Sequence, residues 1–129
     1  MKKNLLAFLP LLTLAACCKE EAGNDDICTQ ELRMITLHIT SATKAPILLD
    51  SSYTVRLSTN ERIYPQQQMT PGRYVVLDDS YHPKLRKAED DFRFVGWRNN
   101  QVVVSETYRI AGDNCHIDRR SGADSVVVQ

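Results

Sequence analysis

Residues 33–40 alternate without interruption. Ile35, Leu37 and Ile39 point one way, and Met34, Thr36, His38 and Thr40 the other. A period of two over eight residues is the signature of a strand with one face buried and one exposed. Such a strand must pair with neighbours and cover its apolar face, so the alternation commits the chain to layered sheets. On the polar face, His38 is expected to be an ordinary exposed imidazole. The same period returns downstream. Tyr53, Val55 and Leu57 alternate with Thr54, Arg56 and Ser58, and Phe92 and Phe94 with Arg93 and Val95. Val102, Val104, Glu106, Tyr108 and Ile110 share one face of a long return strand. Glu106 is discordant there, and is expected at a bulge or bonded to a tyrosine hydroxyl or an arginine.

Turn signals separate these runs. Ala45-Pro46 breaks the first ladder ahead of Ile47-Leu48-Leu49, suggesting an edge or a crossover. Residues 58–61 form a turn before a short return strand at Arg62-Ile63-Tyr64, and residues 65–70 form a polar loop. Pro71-Gly72 signals a type II turn, because proline sets the first central φ and glycine accepts the positive second one. A strand over Arg73 to Leu77 follows. Residues 81–91 are the longest irregular stretch, where Pro83 opens a short helix through Ala88 or the chain is a surface loop. Asn99-Asn100 marks a tight hairpin, since asparagine tolerates positive φ. Gly112-Asp113-Asn114 turns the chain into Cys115-His116-Ile117, and residues 125–128 form the last strand. The expected fold is all-β: a single antiparallel β-sandwich of about seven strands.

The N-terminus has a different logic. Met1-Lys2-Lys3-Asn4 is a short basic start, and residues 5–16 are mostly apolar. This is the layout of a secretory signal. Twelve helical residues span about 18 Å, too short for a hydrocarbon core of about 30 Å. Leu14-Ala15-Ala16-Cys17 resembles the lipobox of bacterial lipoproteins, in which the signal is cut before the cysteine and its thiol takes a diacylglycerol. The resemblance implies lipidation at Cys17, and two or three acyl chains anchor stably where one does not. Cys18 offers a poorer second register. Lys19-Glu20-Glu21, followed by Asp25-Asp26, resembles the surface-export signal of Bacteroidota lipoproteins. That likeness implies an outer-membrane protein facing outward, and otherwise one facing the periplasm. The segment is also a solvated tether: residues 19–26 contain no aromatic or β-branched residue and carry a net charge of −3. The expected division is 1–16 signal peptide, 17–27 lipidated cysteine and tether, and 28–129 β-sandwich.

Sixteen basic residues balance sixteen acidic ones, and loss of Lys2 and Lys3 with the signal leaves the mature chain at −2. No basic stripe is present, which disfavours nucleic acid as a partner. The mature chain of 113 residues holds one domain. Beyond the anchor, Cys28 and Cys115 are an even pair in an oxidising compartment. A disulfide joining the two ends of the domain is the expectation, with two free thiols or a metal site as alternatives.

Chemistry-bearing motifs are sparse. Asp78-Asp79 and Glu89-Asp90-Asp91 flank one loop and could jointly offer oxygens to Ca²⁺, but no EF-hand spacing accompanies them and solvent-facing strand ends account for them. His38, His82 and His116 lie on different elements without ligand spacing, and no HExxH, GxSxG or P-loop pattern occurs. No cofactor is implied, and no metal. The aromatic residues Trp97, Tyr81, Tyr64 and Tyr53 are the candidates for a contact surface, since Tyr and Trp bury area at low entropic loss while hydrogen bonding. Trp97, beside the hairpin, is foremost among them, although packing at the end of a sandwich would also explain it. Asp124-Ser125-Val126 resembles the O-glycosylation sequon that Bacteroidota use on exported proteins, or is a turn into the last strand.

Leu32-Arg33-Met34-Ile35-Thr36-Leu37-His38-Ile39, Pro71-Gly72-Arg73-Tyr74-Val75-Val76-Leu77-Asp78 and residues 115–122 resemble, in order and character, the transthyretin-like or carboxypeptidase-regulatory-like β-sandwich. Some members of that superfamily hydrolyse 5-hydroxyisourate and end in Tyr-Arg-Gly-Ser, whereas this chain ends Val126-Val127-Val128-Gln129. Others are non-catalytic accessory domains. The expected function is a membrane-anchored, non-catalytic binding module for a protein or glycan. The alternatives are an accessory subunit of an envelope complex and, last, a small hydrolase with converging His, Asp or Ser in a pocket.

Overall fold

The alternating runs form strands that stack in two layers. The structure, a computed structural model, describes residues 27–65 and 69–129. The expected signal (1–16), the lipidated Cys17 and the tether up to residue 26 lie outside the described residues. None of the described helices is long and apolar enough to cross a membrane. Eight strands follow in order: β1 (Met34–Ser41), β2 (Ser51–Arg56), β3 (Glu61–Ile63), β4 (Arg73–Asp78), β5 (Glu89–Arg98), β6 (Gln101–Gly112), β7 (Ile117–Ser121) and β8 (Ser125–Val128). They make a three-stranded sheet of order β4-β1-β8 and a five-stranded sheet of order β3-β2-β5-β6-β7.

Among the described residues, the paired strands run antiparallel with one exception. β8 runs parallel to β1, with Ile39 opposite Val126 and Thr40 opposite Val127. The expected all-β antiparallel sandwich stands, with eight strands where about seven were expected and this one parallel pair, because β8 enters from a turn at Gly122 that crosses between sheets and does not fold back as a hairpin. The expected hairpin at Asn99-Asn100 does form. Arg98 pairs with Gln101, and both asparagines have positive φ (51° and 59°), as a two-residue turn matching the twist of its strands requires. Gly72 takes φ 79° after Pro71, and the Arg73 N–H closes that turn on the Thr70 carbonyl at 3.0 Å. A Cβ there would also meet Pro46 at 2.7 Å, so glycine serves both the conformation and the close approach.

The irregular stretch resolves into a 3-10 turn at Asp79–Tyr81 and a four-residue helix, α1 (His82–Leu85), with Pro83 in its first turn. It ends sooner than the expected Ala88, and β5 begins at Glu89, so the acidic run 89–91 belongs to a strand.

The core lies between the sheets. From the small sheet come Ile35, Leu37, Ile39, Val76 and Leu77; from the large one, Phe92, Phe94, Val104, Tyr108 and Ile110. Full burial of a side chain of this size stabilises by about 2–3 kcal/mol. Tyr108 is fully buried, yet its hydroxyl donates to the Ala123 carbonyl at 2.9 Å, and burial pushes its pKa well above the ordinary range. Glu106, half-buried on the same face, opposes ionisation of that phenol. It sits in regular register opposite Phe94, and the irregularities fall at Gly96/Trp97 and Arg109/Ile110. The bulge expected at Glu106 is therefore elsewhere.

One strand reverses its hydrophobic pattern. In β2, Thr54 is fully buried and its hydroxyl donates to the Val76 carbonyl of the opposite sheet at 2.6 Å. Since side chains alternate, Ser52, Thr54 and Arg56 face inward, and Tyr53 and Val55 face out.

Candidate functional site

The reversal in β2 decides what the large sheet shows to its surroundings. Tyr53 opposes Val95 on β5, and Ser51 opposes Trp97. On β5, Phe92, Phe94 and Gly96 face the core, where a Cβ on Gly96 would strike Leu49 at 2.7 Å. Arg93, Val95 and Trp97 therefore face out. Trp97 in turn pairs with Val102, which is exposed. On the other side of β2, the Tyr64 ring lies 6.0 Å from that of Tyr53. Val95 is on this outer face yet only 9% exposed; Tyr53 beside it and Trp97 two residues along shield it. The result is an aromatic patch of Tyr53 on β2, Trp97 on β5 and Tyr64 just after β3, with Val95 at its floor.

Two arginines occupy the next row of the same face. Val55 pairs with Arg62 on β3 and with Arg93 on β5. The Arg62 guanidinium stands 4.8 Å from the Tyr53 ring centroid, a cation–π contact that holds the ring and charge together. Further along, Arg109 holds both Glu89, at 2.8 Å, and Asp91, at 3.2 Å.

Of the aromatic residues picked out in the sequence, the structure gathers Trp97 and Tyr64 with Tyr53 and separates Tyr81. Tyr81 is only 6% exposed and stacks edge-on against Phe92 at 5.8 Å, so it is a core residue and not part of a contact surface. Its hydroxyl donates to Glu61 at 2.5 Å. Burial, then the Glu61 carboxylate, raises the pKa of the phenol. The correction has a plain cause: Tyr81 sits at the junction of the 3-10 turn and α1, the segment that closes one end of the sandwich.

Cys28 and Cys115 form the expected disulfide across 87 positions of sequence. Beside it is a buried polar network that sequence spacing does not reveal. The Asp79 carboxylate accepts from the Arg33 N–H at 2.7 Å, the Ile117 N–H at 2.8 Å, and His116 Nδ1 at 2.6 Å. His116 Nε2 lies 3.1 Å from the Thr29 hydroxyl. A carboxylate facing Nδ1 fixes the ring proton there, so Nε2 accepts from Thr29. Burial disfavours the charged Asp79, but the two backbone donors and His116 outweigh it and hold its pKa below the usual carboxylate value. The order hydroxyl, imidazole, carboxylate is that of a nucleophile relay. With the disulfide it fastens residues 28–33 to the β6–β7 connection.

Glu89 and Asp91 face water as expected, but Asp78, Asp79 and Asp90 do not. Asp78 is buried and accepts from the Ser80 N–H at 2.9 Å, Asp79 anchors the network above, and Asp90 is held by Arg56 at 2.6 Å and by Ser58. Burial raises the Asp90 pKa, but Ser58 and Arg56 more than offset it and leave it lowered. Among the described residues no group of three or more His, Cys, Asp or Glu side chains is placed to hold a metal ion.

No protein-family model matches the chain, and neither the curated proteins nor the solved structures yielded a match.

Proposed function

We propose that this protein is a lipid-anchored envelope lipoprotein, held through Cys17, whose β-sandwich is a non-catalytic binding module for a glycan or protein ligand. The observation that carries the binding role is the patch of Tyr53, Tyr64 and Trp97 on the outer face of the five-stranded sheet. An outer strand face satisfies the fold with any polar residue. Tyr53 and Trp97 are half-buried there and Tyr64 is exposed, so the ring area still open on this face is buried further when a ligand covers it. Flat aromatic rings suit the apolar faces of sugar rings as well as protein side chains. The anchor is supported by Leu14-Ala15-Ala16-Cys17, and the outward address by Lys19-Glu20-Glu21.

Trp97 is the only tryptophan, so its fluorescence reports directly on this face. Titration of the full-length chain with a panel of polysaccharides and envelope extracts should shift that emission for at least one ligand. Tyr53→Ala should weaken that binding about ten-fold or more while leaving the melting profile near wild type. Unchanged affinity in Tyr53→Ala and Trp97→Ala would remove the aromatic face from the function. Fatty-acid labelling of cells should mark the wild type and not Cys17→Ala, and an equal label on both would end the anchor reading.

A second reading, an accessory subunit docking through a sheet edge, is favoured by β8. This strand pairs on one side only and leaves Val127 64% exposed. A fixed envelope partner that co-purifies with wild type and is lost in Val127→Pro would support it.

A further inference from the structure

Charge on the aromatic face narrows the ligand. Arg62 and Arg93 both point outward, in the row of residues adjoining Tyr64, Tyr53 and Trp97. They flank Val55 from opposite sides, two strand spacings or about 10 Å apart. Both are exposed. Among the described residues, the ion-paired lysines and arginines are Arg56, Lys84, Arg109, Arg119 and Arg120, and neither Arg62 nor Arg93 is among them. The neighbouring carboxylates are committed elsewhere. Glu61 is bound by Tyr81 and Lys84, Asp90 by Arg56 and Ser58, and Glu89 and Asp91 by Arg109. Among the described residues, two like charges stand on one sheet face without an ion pair, beside aromatic rings; the nearest carboxylates of that face, Glu89 and Asp91, share Arg109.

We infer that the aromatic face binds an anionic polysaccharide, its sugar rings lying on Trp97, Tyr53 and Tyr64 and its carboxylate or sulfate groups reaching Arg62 and Arg93. This rests on the reading of that face as the binding surface. The chemistry divides between the two kinds of side chain. Aromatic faces accept the C–H faces of sugar rings without regard to charge. A guanidinium presents parallel N–H donors that match a carboxylate or sulfate in two-point fashion, which an ammonium does not. Arg62 is already oriented by its stack on Tyr53, so less freedom is lost when an anion arrives. The contact is solvent-exposed, so its ionic part must weaken with added salt.

The test uses the full-length chain with polygalacturonate as the anionic probe and unsubstituted galactan as the neutral one, read by Trp97 fluorescence and by calorimetry. Polygalacturonate should bind about ten-fold tighter than galactan at low salt, and the gap should close as salt rises. Arg62→Gln/Arg93→Gln should bring polygalacturonate down to the galactan level, with an unchanged melting temperature showing that the fold is kept. Trp97→Ala should weaken both. Equal affinity for the two polymers, or an anionic preference that survives the double substitution, overturns the inference while leaving a glycan-binding face standing. Binding of neither polymer overturns both. Arginine-dependent binding to phosphatidylglycerol vesicles, with no binding to either polymer, overturns it in favour of a membrane surface.

Discussion

The two sheets share one core but present opposite characters to the outside. The outer face of the three-stranded sheet carries Thr36, His38, Thr40, Arg73 and Ser125, and apart from Met34 at its start, the covered Val75 and the edge Val127 it is polar. The outer face of the five-stranded sheet carries Tyr53, Tyr64, Val95, Trp97 and Val102 beside Arg62 and Arg93. Folding makes the same demand of both, an apolar inner face and a soluble outer one. Only the small sheet meets it in the simple way. The large sheet spends apolar residues where the sandwich does not need them, and in β2 it buries Thr54 while displaying Tyr53 and Val55. A fold under no other constraint has no reason for that exchange, and the contrast points to the large sheet as the working surface.

The contrast can be broken most sharply by comparing inner and outer positions of one strand. Phe94→Ala empties a fully buried site and should lose about 3–5 kcal/mol in urea unfolding. Trp97→Ala, three residues on and facing out, should lose less than about 1.5 kcal/mol; comparable losses would make the outer aromatics part of a second core. Next in size is the fastened end of the sandwich. Cys28→Ser/Cys115→Ser should destabilise by about 3–4 kcal/mol, because it releases an 87-residue closure in the unfolded chain. Trp97 emission in the folded state should not move, and a shift would show that the two regions are coupled.

Asp79→Asn should lose about 2 kcal/mol at neutral pH. The sign of its pH dependence follows from a folded pKa lowered below the unfolded value near 4. Asp79 therefore stabilises fully above that value, and its contribution disappears as pH falls through the lower folded pKa. Wild type and Asp79→Asn should converge in stability on acidification, and a constant difference down to low pH would sink this assignment. The smallest effect belongs to the plain sheet. Thr36→Lys should change stability by less than about 0.5 kcal/mol and leave polysaccharide binding untouched, whereas Arg93→Gln should not be silent in binding.

Much of the fold was legible because local chemistry settles it. Alternation at 33–40 and 92–95, Pro71-Gly72, and Asn99-Asn100 each act within a few residues, and strands or turns form at each, although β5 starts earlier than its alternation, at Glu89. Cys28 and Cys115 were legible as a pair by elimination among four cysteines. The candidate site was legible only in part. Trp97, Tyr64 and Tyr53 are visible as aromatics, but nothing local distinguishes them from Tyr81, which packs on Phe92 in the core. Asp79, read as facing water, and His116, which has no ligand spacing to any other histidine, are 37 positions apart in sequence and prove to be partners.

The sequence by itself determined that this chain makes strands, where most of them begin and end, and which residues can turn it. Those outcomes depend on backbone geometry and on a period of two, both short-range. Only the tertiary structure decided which face of β2 turns inward, that β8 joins β1 in parallel, and that three aromatics and two arginines from β2, β3 and β5 with the residue following β3 share one surface. Each of these depends on register between strands distant in sequence. Alternation leaves that register open, because it marks two faces without saying which one the opposite sheet will cover.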